Sequence, residues 1–428
     1  MSGKPTSKST LPGPETINRY ELPNGLTVLI RPNPDSLSVV VTGYLLAGAL
    51  YEPDEKLGLA HYTSLALMRE TQSRDFHEIY EGLESIGASL SFGASIHTMS
   101  FSGRSLIEDM PFLLKLLAEV LETPAFPDEH VEKLRAQFLT GLAIRAQDTS
   151  EMASLIFDKL LYANHPYGRP EDGYPETIKA ITTRDLIDFH ANHYGPGGGV
   201  LVVVGPVDPS AALDLINKNL GVWQNPKQLK EPPLPEPGSI SRILREHTSI
   251  AGKSQVDLVM GVLGPSRLST DYYPASLGNN ILGQFGMMGR IGRSVRERSG
   301  LAYYAYSNMN AGVGPGSWEF IAGVNPSSIE RTIELIQSEI KQYITKPVSR
   351  IELSDVKANM VGRLPLTFES NSGVASGLIN LERYQLGLDY YQRYEKLVNS
   401  ISQEQILSVA QKYLNPERMV ISTAGTIE

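Results

Sequence analysis

The chain has 428 residues, of which 41% are hydrophobic and 20% charged, and this length predicts two or three globular domains rather than a disordered chain. Its formal net charge of -9 argues against nucleic acid or an anionic membrane as the main partner, because both require clustered Lys and Arg. The absence of cysteine excludes disulfides, thiolate metal sites and cysteine nucleophiles.

The N-terminal residues bear on localisation. Met1 to Thr10 are polar and lack the apolar segment of a secretory signal, so we expect a disordered tail. The compartment stays open: the cytoplasm is slightly favoured, and a periplasmic or exported location would follow if a signal peptide had been removed. The most apolar stretch, Leu37 to Leu50, is interrupted by polar residues and glycines and is too short to span a bilayer, so we expect no membrane span.

The first elements along the chain are strands. Asn24-Gly25, a strong hairpin signal, separates two strand-like runs, Tyr20 to Leu22 and Leu26 to Ile30. A third strand is predicted at Val39 to Tyr44. The clearest helix is predicted over Ser105 to Glu122, where apolar residues recur at helical spacing and form one core-facing side.

A proline-bearing segment, Pro226 to Gly238, predicts the domain linker, because this composition continues neither a helix nor a strand ladder. The chain after it repeats the chain before it: Glu176 to Val204 and Tyr394 to Thr423 both read helix, capped helix, loop and apolar strand. Chance similarity is the alternative to duplication. We therefore predict an α+β protein of two homologous domains, 18–225 and 240–428, each an antiparallel sheet backed by helices.

A motif follows the third strand. Gly58-Leu59-Ala60-His61-Tyr62-Thr63-Ser64-Leu65 resembles the place where pitrilysin-like zinc peptidases (insulysin and the mitochondrial processing peptidase) carry His-x-x-Glu-His on a helix. In that family the two histidines bind zinc and the glutamate activates the metal-bound water. Here only His61 matches a ligand. Ser64 stands at the position of the general base and Leu65 at that of the second histidine.

The third family ligand is also missing. It is a glutamate about seventy-five residues further on, and counting from Leu65 leads to Gly141, next to Thr140, neither of which supplies a carboxylate. One imidazole is too few for a catalytic zinc, which needs three protein ligands. The resemblance therefore implies a member with a degenerate zinc site at His61, Ser64, Leu65 and Gly141, no metal or cofactor of its own, and no activity alone.

Three further segments carry the family resemblance over nearly the whole chain after residue 18. Leu22-Pro23-Asn24-Gly25-Leu26 is similar to the opening hairpin of the family, and Leu83 to Ala88 to the end of a following helix. Arg296-Glu297-Arg298-Ser299-Gly300-Leu301-Ala302-Tyr303 is close to the family's Arg-Glu-x-x-Gly-Leu-Ala-Tyr.

That last segment implies a role opposite the metal. In the family, an arginine and a tyrosine seven residues later reach the substrate near the scissile bond, and Arg296 and Tyr303 match them. A guanidinium and a phenol can stabilise the oxyanion that forms in peptide hydrolysis. From residue types alone, a solvated helix-end arginine and a tyrosine packed in a sheet are the simpler interpretation; the family spacing favours the functional one.

Other candidate sites are weaker. Gly283 to Arg293 is glycine-rich but lacks the Lys-Ser/Thr ending of a phosphate loop, and the similar family segment is a flexible turn before a helix. His97, His190 and His193 show no metal-ligand spacing, so packing or surface roles are expected for them.

Two classes of function remain. The first is the non-catalytic subunit of a heterodimeric zinc endopeptidase, as in a processing peptidase, which binds the peptide substrate and completes the active site opposite the zinc of a homologous partner subunit. The second is a structural or peptide-binding protein of the same fold without a proteolytic role. An active homodimeric zinc peptidase is disfavoured by Ser64, Leu65 and Gly141.

Overall fold

The computed structural model of the protein describes residues 11–427. The expected tail, Met1 to Thr10, lies outside these residues. The described chain divides into two compact units. Unit 1 contains the residues up to Thr140 together with Pro170–Pro233 and Arg363–Arg393, and unit 2 contains Gly141–Arg169, Leu234–Gly362 and the residues from Tyr394 onward.

The first half of the chain forms six strands and eight helices. The strands are β1 (Asn18–Glu21), β2 (Thr27–Pro32), β3 (Ser38–Leu45), β4 (Ser89–Ala94), β5 (Met99–Leu106) and β6 (Val200–Gly205). The helices are α1 (Leu59–Ala66), α2 (Phe76–Glu84), α3 (Met110–Glu122), α4 (Asp128–Arg145), α5 (Thr149–Leu161), α6 (Pro175–Ala180), α7 (Thr183–His193) and α8 (Pro209–Leu220).

The second half forms five strands and a similar set of helices. The strands are β7 (Leu244–Ser249), β8 (Val256–Leu263), β9 (Ala302–Asn310), β10 (Ser317–Val324) and β11 (Val420–Gly425). The helices are α9 (Tyr272–Gly283), α10 (Phe285–Gly292), a π-helix (Arg293–Arg298), α11 (Ile329–Tyr343), α12 (Arg350–Thr367), α13 (Asn371–Arg383), α14 (Tyr390–Asn399) and α15 (Gln403–Tyr413).

The two sheets share one strand order. The sheet of unit 1 runs β1-β2-β6-β3-β5-β4, and that of unit 2 runs β7-β11-β8-β10-β9, which is the same order without an equivalent of β1. The predicted α+β class with two similar domains is confirmed. The sheets are not purely antiparallel, because β2 pairs with β6 and β7 with β11 in parallel. The last strand of unit 1, β6, enters the sheet between β2 and β3, and the last strand of unit 2, β11, enters between β7 and β8, each after a helical connection long enough for a parallel pair.

The repeat predicted around the last helices is visible in both units. Helix α7 begins with a capping box of Thr182 and Asp185, and α15 begins with a capping box of Ser402 and Gln405. Each helix leads through a short loop to a fully buried strand, β6 or β11. Reciprocal bonds of this kind satisfy two backbone N–H groups at a helix start, which explains why the sequence signal was reliable here.

The units interleave along the chain, a feature absent from the predicted contiguous boundaries. Helix α5 precedes the linker but packs on β8 and β11 of unit 2, and α13 follows the linker but packs on β3 and β6 of unit 1. The unit boundary falls within two helices of equal length, α4 between Thr140 and Gly141, and α12 between Gly362 and Arg363. The two units thus exchange equivalent helices.

Two local predictions need correction. The helix predicted over Ser105 to Glu122 begins at Met110, because Ser105 and Leu106 complete β5 opposite β3. The period-2 burial of β5 gives way to helical spacing only after this pairing ends. The residues of Gly283 to Arg293 that were expected to form a flexible turn are instead largely helical, in α10.

The predicted linker forms neither helix nor strand, but its first part is fixed to unit 1. Directly before it, the side-chain amide of Asn225 donates to the carbonyl oxygens of Ala191 (2.9 Å) and Tyr194 (2.7 Å). Glu231 accepts from Nδ1 of His97 at 2.7 Å. Within unit 2, the carbonyl of Pro235 contacts Nε2 of His165 at 2.9 Å. Anchored residues therefore lie on both sides of Pro232 to Leu234.

None of the helices in residues 11–427 is long and apolar enough to cross a membrane.

Candidate functional site

Helix α1 carries the degenerate motif and is held firmly at its start. Gly58, at φ 94°, precedes the helix in a left-handed conformation that favours glycine. The buried carboxylate of Glu52 accepts from the backbone N–H of Gly58 (3.0 Å) and Ala60 (2.6 Å). A carboxylate at this position satisfies free N–H groups and complements the helix dipole, so the position of α1 is well determined.

The three motif positions on α1 have different surroundings. His61 is partly exposed, and burial lowers the pKa of its imidazole, against opposing effects of Asp172 and the Ala94 carbonyl. Ser64 is fully buried, and its hydroxyl donates to the carbonyl oxygen of His61 at 2.7 Å. The Ser64 hydroxyl is therefore engaged within the helix and does not act as a base. Leu65 is half-buried and has no polar atom to offer.

An aromatic ring packs against the remaining imidazole. Phe138 of α4 lies edge-on to the ring of His61, with 5.4 Å between centroids, and also contacts the ring of Tyr62 at 5.0 Å. Sequence reasoning did not single out Phe138. A signal was present, since Phe138 stands one helical turn before Gly141, where the third ligand was sought.

Gly141 is exposed on α4, and a methyl group added there would meet no atom within 4 Å. The residues around this position do not fit a zinc ion: one imidazole remains, and Ser64, Leu65 and Phe138 provide neither a second imidazole nor a carboxylate. The described residues contain no group of three or more His, Asp or Glu side chains arranged to hold a metal ion.

Helix α1 lies against the edge strand of the sheet of unit 1. It packs on β4, the last strand in the sheet of unit 1, and among the described strands β4 pairs with β5 alone. The carbonyl of Ala94, at the end of β4, faces His61. Edge strands present unpaired N–H and C=O groups to which an extended peptide can add. The degenerate motif is therefore adjacent to an edge strand.

In unit 2, Arg296 is exposed on the π-helix. Its side chain makes no hydrogen bond or ion pair with any described residue. Arg290, one and a half turns earlier, is different: its guanidinium donates to both carboxylate oxygens of Glu352 at 2.8 Å. Arg290 thus has a structural partner, and Arg296 is available for a ligand.

The segment after the π-helix places Tyr303 at an irregular strand start. Gly300, at φ 63°, closes the helix by donating its N–H to the carbonyl of Arg296 at 3.0 Å. In the ladder between β9 and β10, Val324 pairs with Ala302 and Gly323 with Tyr304. Tyr303 is the extra residue of a β-bulge on an edge strand, and 68% of it is exposed.

This exposure excludes the simpler interpretation of Tyr303 as a tyrosine packed in the sheet. β-Bulges change the direction of a side chain and are frequent beside functional sites. π-Helical turns are rare and are also frequent at functional sites. Arg296 and Tyr303 thus lie on two adjoining irregular elements, and both residues are exposed to solvent. A cation and a phenol so presented can bind a peptide carbonyl or a developing oxyanion.

The other histidines have packing roles. Nε2 of His190 bonds to the carbonyl oxygen of Leu121 at 2.8 Å. His193 is buried against Tyr51 and Phe189, with ring centroids 4.4 Å and 4.5 Å away, and burial lowers its pKa to about 4. His97 binds Glu231, as described above.

Two protein-family models match this chain. "Insulinase (Peptidase family M16)" matches residues 27–170, and "Peptidase M16 inactive domain" matches residues 180–360. The first match includes α1 and the second includes the π-helix and Tyr303. Together they take in most of the chain, in the order that the two-domain prediction implied.

Relatives and solved structures agree with these matches. The chain is 25% identical over 403 residues to an uncharacterized zinc protease of Mycobacterium leprae, covering 93% of this chain and 89% of that protein. It is 23% identical to an uncharacterized zinc protease of Bacillus subtilis, covering 90% and 92%. The crystal structure of a peptidase M16 inactive domain from Pseudomonas fluorescens matches with a TM-score of 0.89, 28% identity, and coverage of 96% and 98%. A protease structure from Helicobacter pylori matches in fold, with a TM-score of 0.88 at 19% identity and coverage of 97% and 100%.

Proposed function

The chain belongs to peptidase family M16, and we propose that it is the non-catalytic subunit of a two-chain zinc endopeptidase. In this role it binds the peptide substrate and completes the active site opposite the zinc of a homologous partner subunit. The chain supplies binding and transition-state stabilisation, and the partner supplies the metal that activates water. Alone, it is inactive.

The observation that carries this proposal is the contrast between the two units. At the degenerate zinc site, Ser64, Leu65 and Gly141 stand at the positions of the base and of two ligands, and none of them can bind zinc or accept a proton from water. In unit 2, Arg296 and Tyr303 are exposed, and neither side chain has a hydrogen-bond or ion-pair partner among residues 11–427. A scaffold has no use for an exposed cation and phenol at these two positions, whereas a substrate-binding subunit requires them.

The sheet edge supports peptide binding in particular. An extended substrate that adds to β4 would gain backbone hydrogen bonds without regard to its sequence. Side-chain contacts would then provide specificity. A structural or peptide-binding protein of the same fold without proteolysis is the alternative, and it would need the edge strand but not Arg296 or Tyr303.

The relatives are called zinc proteases, and the residues of this chain do not support a zinc site of its own. The relation to the Pseudomonas fluorescens protein, described as an inactive domain, is consistent with the proposed division of labour. We extend only the fold and the peptide-directed role to this chain.

Co-purification tests the proposal. The full chain would be isolated from its native source and the associated proteins identified and quantified. We expect a homologue that carries His-x-x-Glu-His in a one-to-one ratio, and peptide cleavage only by the pair. A chain isolated repeatedly without such a partner, and a reconstituted pair without activity, would leave the non-proteolytic alternative.

A further inference from the structure

The π-helix of unit 2 carries more free positive charge than the proposed oxyanion contact requires. Arg293 and Arg298 flank Arg296, and all three are exposed. None of the three forms a hydrogen bond or an ion pair with a described residue. In a chain with 47 acidic and 38 basic residues, carboxylates are plentiful, so three unpaired arginines within six residues need an explanation.

The nearest carboxylates do not neutralise this group. Glu352 is occupied by Arg290 through two bonds of 2.8 Å. Glu339 of α11 interacts electrostatically with Arg293 and Arg298 without an ion pair; burial raises its pKa, against the lowering effect of the arginines. Glu297 is exposed on the π-helix itself. The two arginines therefore retain donors for an additional carboxylate.

Helix geometry sets Arg293 apart from Arg296. In a π-helix, hydrogen bonds join residues five apart, so residues i and i+5 lie on nearly the same side. Arg293 and Arg298 have this spacing, whereas Arg296 lies three residues after one and two before the other and is therefore on another side of the segment. The segment thus offers two groups of donors: Arg296, matched to the reacting peptide bond, and a pair of guanidinium groups beside it.

We propose that Arg293 and Arg298 form a specificity subsite for a carboxylate side chain, so that the substrates are peptides with an acidic residue near the bond to be cleaved. This inference rests on the proposed function. Planar guanidinium groups bind carboxylates through paired, charge-assisted hydrogen bonds, and two of them on one side of a helix favour Asp or Glu over Asn, Gln or Lys. The same charges repel a basic peptide, which adds to selectivity.

Binding to the isolated full chain provides the test. Fluorescently labelled peptides of one sequence, with Asp, Asn or Lys introduced at successive positions, would be titrated by anisotropy at low and high salt. At one position we expect Asp to bind about tenfold more tightly than Asn, the equivalent of one good charge-assisted contact. The preference should decrease at high salt.

The double variant Arg293→Gln/Arg298→Gln should remove the preference for Asp and leave the affinity for the Asn peptide unchanged. Arg418→Gln is the matched control, because Arg418 is also an exposed arginine of unit 2 without an ion pair among the described residues. All three arginines are exposed, so we expect the variants to fold, and melting temperatures equal to that of the wild-type chain would verify this. An Asp preference that survives in the double variant would overturn the subsite.

The outcomes separate this inference from the proposed function. Equal binding of Asp, Asn and Lys peptides at all positions would overturn the subsite, even if the chain forms an active pair with a zinc-bearing homologue. An Asp preference that is lost in the double variant would support the subsite even if no such partner is found. The missing partner would then contradict the proposed function alone.

Discussion

The ring of Phe138 lies edge-on to the imidazole of His61, with 5.4 Å between their centroids. The side chain of the one residue that matches a zinc ligand therefore packs against a hydrocarbon ring from the helix that should supply the third ligand. Phe138 is 8% exposed, so the contact is part of the core of unit 1. Apolar packing has replaced metal binding at this position.

We first expect the isolated chain to bind no zinc in stoichiometric amount and to cleave no peptide. One imidazole with a pKa lowered by burial remains, and neither a second ligand nor a base accompanies it. Elemental analysis after dialysis against a weak chelator measures this directly. A zinc-bearing homologue treated in the same way is the control. One tightly held zinc per chain, with peptide cleavage lost on chelation, would contradict the degenerate site.

The second expectation concerns catalysis by the reconstituted pair. Arg296→Ala and Tyr303→Phe should each cost on the order of 3 kcal/mol of transition-state stabilisation, or roughly a hundredfold in turnover. The loss should fall on kcat more than on KM, because the charge forms mainly in the transition state. Steady-state kinetics with one peptide substrate measures both constants.

Tyr303→Phe is the sharper of these two variants. The residue is 68% exposed in a bulge, so loss of the hydroxyl should leave the stability of unit 2 unchanged. Size-exclusion chromatography and partner zinc content serve as controls for assembly. Full activity of both variants in an assembled complex would indicate that this chain has only a structural role.

The third expectation follows from the exchanged helices. The linker is anchored by Asn225 and Glu231, so the first tryptic cut should fall after Arg242, in the exposed stretch before β7. The two fragments should stay together under native conditions. Helix α5 would remain with the first fragment but pack in unit 2, and α13 with the second fragment but pack in unit 1.

Denaturing electrophoresis and native size-exclusion chromatography of the same digest test this expectation. Arg242→Gln should slow the cut and serves as the matched control. Glu231→Gln, which weakens the contact with His97, should instead make Lys230 more accessible to trypsin. Fragments that separate in native buffer would show that the exchanged helices contribute little to cohesion.

The fourth expectation is a pH dependence of stability. Burial lowers the pKa of His193 to about 4, so the folded state holds this ring neutral while the unfolded chain protonates it below its ordinary pKa of about 6.5. His193 therefore leaves the free energy of unfolding unchanged above pH 6.5. As the pH falls from 6.5 toward 4, protonation of the unfolded chain lowers the free energy of unfolding by on the order of 2 kcal/mol.

Urea unfolding at pH 7.5 and pH 5 measures this loss. His193→Phe keeps the aromatic contacts with Tyr51 and Phe189 and removes the titration, so it should reduce the difference between the two pH values. His190 remains and also has a pKa lowered by burial, so part of the dependence should persist. An unchanged difference in the variant would assign the effect to other groups.

Local patterns in the sequence predicted what depends on neighbouring residues. Asn24-Gly25 predicted the first hairpin, and the repeated order of a capped helix, a loop and an apolar strand predicted α7 with β6 and α15 with β11. The replacement of the general base by Ser64 and of the second histidine by Leu65 could also be predicted from the sequence, because the motif is contiguous and occupies one helix. The family model matches confirm the resemblance that these motifs supported.

Contacts between residues distant in the chain were decided by the tertiary structure. Pairing with β3 extends β5 to Leu106, because backbone hydrogen bonds across a sheet override a helical pattern that begins at Ser105. The packing of Phe138 on His61, the exchange of α5 and α13, and the bulge that exposes Tyr303 depend on partners that no sequence window contains. The periodicity of a sequence predicts which side of an element is buried. The element that packs against this side is determined only by the assembly of the whole core.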